Sequence, residues 1–258
     1  MSTAMASYPP IIAESSPAQE LSQAAARYQC GESRKIVFFD LVLESVRKWP
    51  LTTATVLDIG CGHGFDGDAG LQQSIAEEAS RFIGIEPAKD VPLPAFLTDL
   101  HPCTFEEARL QPDSVHVAYS AFVLEHVEHP SVFWEKLYQC LVPGGVFWGF
   151  TVDGRHLFSI ASQMTGALKF KDAYLNWLRG RRGVDRYENY RTFYRANTPA
   201  GISRHTRAFR RADYLSVHRV GQLNYYFPRR LWPVLHWMER LSMRLRLPGS
   251  ILIVRLEK

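Results

Sequence analysis

With 258 residues, 46% of them apolar and 22% charged, the chain has the composition of a globular protein with one ordinary core, which excludes fibrous and disordered classes. No run approaches the roughly 18 uninterrupted apolar residues of a membrane span, and the start lacks the basic-then-apolar pattern of a secretory signal, so a cytoplasmic setting is expected. The net charge of +4 hides an asymmetry: residues 1–150 hold 9 Lys or Arg against 19 Asp or Glu, and residues 151–258 hold 21 against 7. An acidic first half and a basic second half suggest that the second half faces an anionic partner or surface. Cys30, Cys61, Cys103 and Cys140 are too widely spaced for a zinc site and read as free thiols of a reducing compartment.

In chain order, residues 1–20 are rich in Ser, Ala and Pro and are expected to form a mobile tail, leaving 21–258 as a single domain. Helices are expected over 21–28 and 35–48, the second with Ile36, Phe39, Leu43 and Val46 on one face. Thr55, Val56, Leu57 and Ile59 then make a buried strand that runs into Gly60, Gly62 and Gly64. Three missing side chains let the backbone turn sharply and offer N–H groups to a nucleotide-type cofactor. The spacing Gly-x-Gly-x-Gly differs from the dinucleotide fingerprint and disfavours a nicotinamide or flavin. Asp58 lies inside this motif, where a carboxylate can hold water or meet an ammonium group; Cys61 is a small spacer and not a nucleophile.

A helix is expected over 71–79 and a second strand over 81–87. Glu86 follows Gly62 by 24 residues, the distance at which α/β nucleotide folds place an acid on ribose hydroxyls. A short third strand is expected at 95–97 and a fourth at 114–119, with Ser120 and Ala121 beginning the crossing to a helix. Glu125, His126, Glu128 and His129 have the look of metal ligands. A helix over 131–141, with Val132, Phe133, Leu137 and Leu141 on one side, ends in a VPGG turn before a fifth strand over 146–152.

With these residues in view, VLDIGCGHG resembles the first motif of class I S-adenosylmethionine-dependent methyltransferases, and LVPGG resembles the turn before their fifth strand. The resemblance spans residues 36–152. It implies a seven-stranded Rossmann-like sheet in three α/β/α layers with the last strand antiparallel, and S-adenosylmethionine as cofactor. It implies cofactor contacts at Asp58, Gly60, Cys61, Gly62 and Glu86, at Phe105 and Glu106 around the adenine, and at Ser120 and Ala121 on the sulfonium side. Relatives that bind a divalent ion use a glutamate three residues before the Glu-His pair; here that position is Phe122, so no metal is expected.

Residues 153–197 are too long for a plain connection and read as an inserted cap in which aromatics alternate with arginines, suited to a substrate with a flat or apolar body and a negative group. Tyr190, Tyr194 and Arg195 are its candidate substrate contacts; His126, His156 and Tyr194 are candidate bases. Thr198 and Pro199 open a helix expected to run to Arg211, followed by strands over 214–220 and 250–258. Residues 229–247 form a basic, tryptophan-bearing helix. Packing on the sheet or on the mate of a homodimer is favoured for it over peripheral contact with an anionic membrane or a lipid-like substrate. The expected function is methyl transfer to a small or lipid-linked acceptor, anionic groups included, with oxygen favoured. RNA methylation is the rival within enzymes, disfavoured because no RNA-binding module accompanies the domain, and a non-catalytic binding subunit is the rival outside them.

Overall fold

The computed structural model describes residues 16–88, 91, 94–166, 176–178 and 190–258. Its centre is a seven-stranded sheet in the order β3-β2-β1-β4-β5-β7-β6, built from β1 (Thr55–Ile59), β2 (Arg81–Ile85), β3 (Asp99–His101), β4 (Val115–Ala121), β5 (Leu141–Val152), β6 (Arg211–Val217) and β7 (Ile251–Glu257). The first five run parallel, and β7 is antiparallel to both β5 and β6. This is the sheet the sequence motifs imply, with the last strand inserted before the sixth.

Both faces of the sheet are covered. Helices α1 (Pro17–Gln29), α2 (Arg34–Arg47) and α3 (Ala69–Glu77) lie on the face that carries Val56, Phe82, Tyr119, Trp148 and Phe150. Helix α4 (Pro130–Cys140) covers the other, against Leu57, Ile59, Ile83 and Phe147. Val56 and Leu57 fall on opposite faces because side chains alternate along a strand, so β1, central in the sheet, is buried throughout. Phe38 of α2 stacks on Phe150 at 4.2 Å, and the Trp148 indole N–H donates to Ser45 Oγ at 2.8 Å.

Several boundaries differ from expectation for local reasons. Helix α1 starts at Pro17, four residues inside the expected tail, because Ser16 and Gln19 form a capping box. Of the expected face of α2, Leu43 and Val46 are buried and Phe39 packs against the core, while Ile36 is exposed; Val37, Phe38, Leu41 and Val42 are buried as well, since the helix packs on both α1 and the sheet. In α4 the exposed Val132 gives way to Trp134. The third strand lies at Asp99–His101 and not at 95–97, because Leu97 N–H closes a turn on Pro94 and Thr98 pairs with Phe82 first. Ser120 and Ala121 remain in β4, and the VPGG turn is absorbed as the irregular start of β5. Helix α6 (Pro199–Ser203) stops well short of Arg211: the Thr206 hydroxyl folds back on the Ile202 carbonyl, and β6 begins at Arg211. Of the expected cap, residues 153–166, which include α5 (Leu157–Gly166), 176–178 and 190–197 are described. Phe170, Tyr174, Arg179, Arg181, Arg182, Arg186 and Tyr187 lie outside the described residues. Helix α7 is Trp232–Arg244, and no described helix is long and apolar enough to cross a membrane.

Candidate functional site

Strand order reverses between β1 and β4, and in open α/β sheets the crevice beyond the strand ends at such a point is where ligands bind. The glycine loop stands there. Gly60 has φ 89°, a left-handed conformation that L side chains rarely adopt, and its N–H donates to the Ile85 carbonyl at 2.8 Å. A Cβ on Gly62 would lie 2.6 Å from Glu86 Oε2, so the glycine is what lets the carboxylate reach the loop, where it accepts the Gly62 N–H at 3.0 Å. The other oxygen of Glu86 accepts from the Ala88 N–H at 2.9 Å and from the Tyr190 hydroxyl at 2.8 Å. Burial and this bond to Glu86 hold the Tyr190 phenol well above its usual range.

Asp58 faces inward. The Tyr119 hydroxyl (2.6 Å) and the Gln72 amide (2.7 Å) both donate to its Oδ2, and Gln72 Nε2 also donates to the Cys61 carbonyl at 2.8 Å. Burial pushes the Asp58 carboxyl up to about 7, against the two hydrogen bonds, which favour the charged form. Asp58 and Gln72 thereby tie the glycine loop to α3 from behind. The Cys61 thiol is buried and its ionisation suppressed by that burial, which makes a nucleophilic role unfavourable.

The far wall is the helical turn Leu124–His126 after β4. Its Glu125 carbonyl accepts the N–H groups of Phe193 (2.8 Å) and Tyr194 (3.1 Å). The buried Glu125 carboxylate accepts from the Thr151 hydroxyl at 2.7 Å, whose oxygen in turn accepts from Asn197 Nδ2 at 2.7 Å; burial raises the Glu125 carboxyl. His126 Nδ1 lies 2.9 Å from the Arg191 carbonyl oxygen. A carbonyl only accepts, so Nδ1 is the donor in this contact, which makes Nε2 the accepting nitrogen of the neutral ring. The Tyr190 ring sits edge-on to the His126 imidazole at 5.8 Å. Phe122 (φ 58°) and Tyr194 (φ 54°) hold left-handed backbones at this junction, strain of the kind that collects at functional sites. Arg34 closes the side, paired with Asp66 at 2.7 and 2.9 Å and lying over the Phe122 ring at 4.3 Å.

The structure therefore brings Gly60, Cys61, Gly62, Glu86, Tyr190, His126 and Tyr194 to one edge, with Ser120 and Ala121 at the end of β4. Ser120 Oγ is buried with no hydrogen-bond partner. Phe105 is buried edge-on against Phe133 at 4.8 Å, and its turn is held by Lys136 Nζ, which donates to the carbonyls of Phe105, Glu106 and Ala108. Arg195 donates to the Glu128 carbonyl at 2.7 Å and flanks Phe193. His156 joins a different group, lining a small cavity with His218, Glu239 and Ser250. Glu125 and His126 point to different partners and Glu128 and His129 are exposed; among the described residues no His, Cys, Asp or Glu cluster could hold a metal. Sequence reasoning missed Gln72, Tyr119, Thr151, Asn197 and Arg34. The one local signal was Gln72 itself, a polar residue three positions from the buried Ile75 of α3.

These residues fit an adenosyl cofactor: a cradle that a Cβ would fill, an acid at the β2 end, and an orphaned buried hydroxyl at the β4 end. A family model described as a methyltransferase domain matches residues 25–223. The chain is 27% identical over 154 residues to the ubiquinone biosynthesis O-methyltransferase of Methylobacterium sp. (strain 4-46), over 55% of this chain and 56% of that protein. It thus spans little more than half the length of the curated relative it matches. An S-adenosylmethionine-dependent methyltransferase from Archaeoglobus fulgidus has a similar structure (TM-score 0.53, 12% identity, covering 90% of this chain and 97% of that one). So does mycolic acid cyclopropane synthase CmaA1 (TM-score 0.51, 14% identity, 91% and 88%). Likeness at such identity is one of fold.

Proposed function

Because the chain belongs to the S-adenosylmethionine-dependent methyltransferase family, we propose that it methylates an oxygen of a small or lipid-linked acceptor, with His126 taking the acceptor's proton. The observation that carries this reading is Tyr190, whose hydroxyl reaches Glu86 at 2.8 Å while its ring meets His126 at 5.8 Å, joining the cofactor acid to the candidate base. The name of the Methylobacterium relative supports oxygen over carbon or nitrogen.

When bound, S-adenosylmethionine supplies a methyl group already activated by a positive sulfur. What remains for the chain is to align the acceptor and exclude water. Glu86 would accept from ribose hydroxyls where it now accepts from Tyr190, the glycine loop would admit the cofactor against bare backbone, and Ser120 Oγ would gain a partner. His126 Nε2, with the proton fixed on Nδ1 by Arg191, would accept the proton of the acceptor O–H as that oxygen gains the methyl. Tyr194 and Arg195 would border the acceptor.

Calorimetry with S-adenosylmethionine, followed by assay of S-adenosylhomocysteine formation against phenolic, lipid-linked and RNA pools, tests the proposal. The expected result is cofactor binding and turnover of an oxygen acceptor. No binding would sink the cofactor assignment, and turnover confined to RNA with a steep salt dependence would move the substrate to nucleic acid.

A further inference from the structure

Helix α7 does not bury its tryptophans on the sheet. Trp237 is 62% exposed, and Val234, Met238, Leu241 and Leu245 are exposed beside it. At 100° per residue these five share one outward stripe. The opposite side is fixed: Leu235 is buried, the Glu239 carboxylate accepts the N–H groups of Gly221 (2.6 Å) and Leu223 (3.1 Å), and His236 Nε2 meets Asn224 Oδ1 at 2.9 Å. These bonds hold the helix in one rotational setting, so the apolar stripe cannot turn inward.

Around the stripe the charge has one sign. Arg229, Arg230, Arg240, Arg244 and Arg246 are exposed, and among the described residues none of them forms an ion pair with an acid. The only acid between residues 222 and 250 is the inward Glu239. Arg246 also lines an open cleft of about 340 Å³ with Arg155 and His218. A second copy of the chain would set these arginines against one another unless it turned its acidic half to them. An anionic bilayer satisfies both features at once, taking the apolar stripe into the acyl boundary and the arginines at the phosphates.

We infer that α7 is a membrane-surface docking element that seats the protein on anionic phospholipid. The helix, about 20 Å long at 1.5 Å per residue, lies in the interface plane and does not span. This holds whether or not the chain transfers methyl groups, and its test is separate.

The full chain is sedimented with vesicles of phosphatidylcholine, with and without phosphatidylglycerol, over a series of salt concentrations. Binding to the anionic vesicles is expected, with little to phosphatidylcholine alone and a steady loss as salt rises. Trp237→Ser combined with Leu241→Ser, and separately Arg240→Gln combined with Arg244→Gln, are each expected to weaken binding about tenfold or more. Absence of sedimentation, or partition indifferent to phosphatidylglycerol, overturns the inference. So does a dimer in analytical ultracentrifugation that the double serine variant dissociates, because a second copy then covers the face. Circular dichroism checks that the variants fold, and if they do not, the salt series on the unaltered chain decides alone.

Discussion

Glu86 accepts from two backbone N–H groups and one phenol, and replacing it strands buried donors while removing the acid for ribose. Glu86→Ala is expected to weaken S-adenosylmethionine binding about tenfold to hundredfold in calorimetry. Tyr190→Phe removes one of the two donors on Glu86 Oε1, leaving the Ala88 N–H, and should leave that affinity equal or tighter; a loss comparable to Glu86→Ala would show that the tyrosine holds the cofactor itself. His126→Asn should lower kcat about a hundredfold on an oxygen acceptor while cofactor affinity is unchanged, and an unaltered kcat would remove His126 from proton transfer. Asp58 gives a pH signature. Its folded carboxyl titrates near 7 against an ordinary 3.8, so between these values the folded state binds the extra proton. Stability from this group is present below about pH 4 and is lost as pH rises through 7. Asp58→Asn should flatten that decline, by up to roughly 4 kcal/mol in urea unfolding between pH 4 and 8.

At the scale of elements, the turn Leu124–His126 is held by a relay that ends on α6's leading segment: Asn197 to Thr151 to Glu125. Thr151→Val keeps the shape and deletes both bonds, which should cost about 1–3 kcal/mol and lower the melting temperature, without moving strands β4 and β5. The relay also shows why some of the site was hidden in the sequence. Gly60, Gly62 and Glu86 were legible because a turn and the acid at the next strand end are local consequences of strand spacing. Tyr119 and Asp58 stand 61 positions apart, and Thr151 and Asn197 stand 46 apart, so nothing in either local pattern announces the pair. Element boundaries failed where a side chain overrode periodicity, as Thr206 did by ending α6 early and Thr198 Oγ1 did not by starting it on time. The outer face of α7 was not legible for a different reason: an amphipathic pattern says that one side differs from the other, while Glu239 and His236 decide which side is inward.

Over the whole molecule, the charge asymmetry along the chain becomes one across the sheet. Strands β3, β2, β1 and β4 belong to the acidic half, whereas β7, β6 and α7 belong to the basic half at the other end of the strand order. On the docking inference, an anionic bilayer that held α7 would repel the acidic half, so that it would orient the molecule as well as bind it. The same strand order has a consequence for synthesis. Strand β7 is made after β6 yet lies between it and β5, pairing Val254 with both Gly149 and Tyr214. While a ribosome has delivered residues only as far as Ser250, β6 has no hydrogen-bonded neighbour and β5 has an open edge beside buried Phe147 and Phe150. A chain halted there should leave residues 211–217 open to proteolysis and recruit chaperones, and a chain that includes Ile251–Glu257 should protect them. Native-like resistance in the halted chain would mean that the first five strands hold β6 by other contacts. Strand β7 is thus the keystone of this end of the sheet: β5 and β6 are joined only once Ile251–Glu257 lies between them.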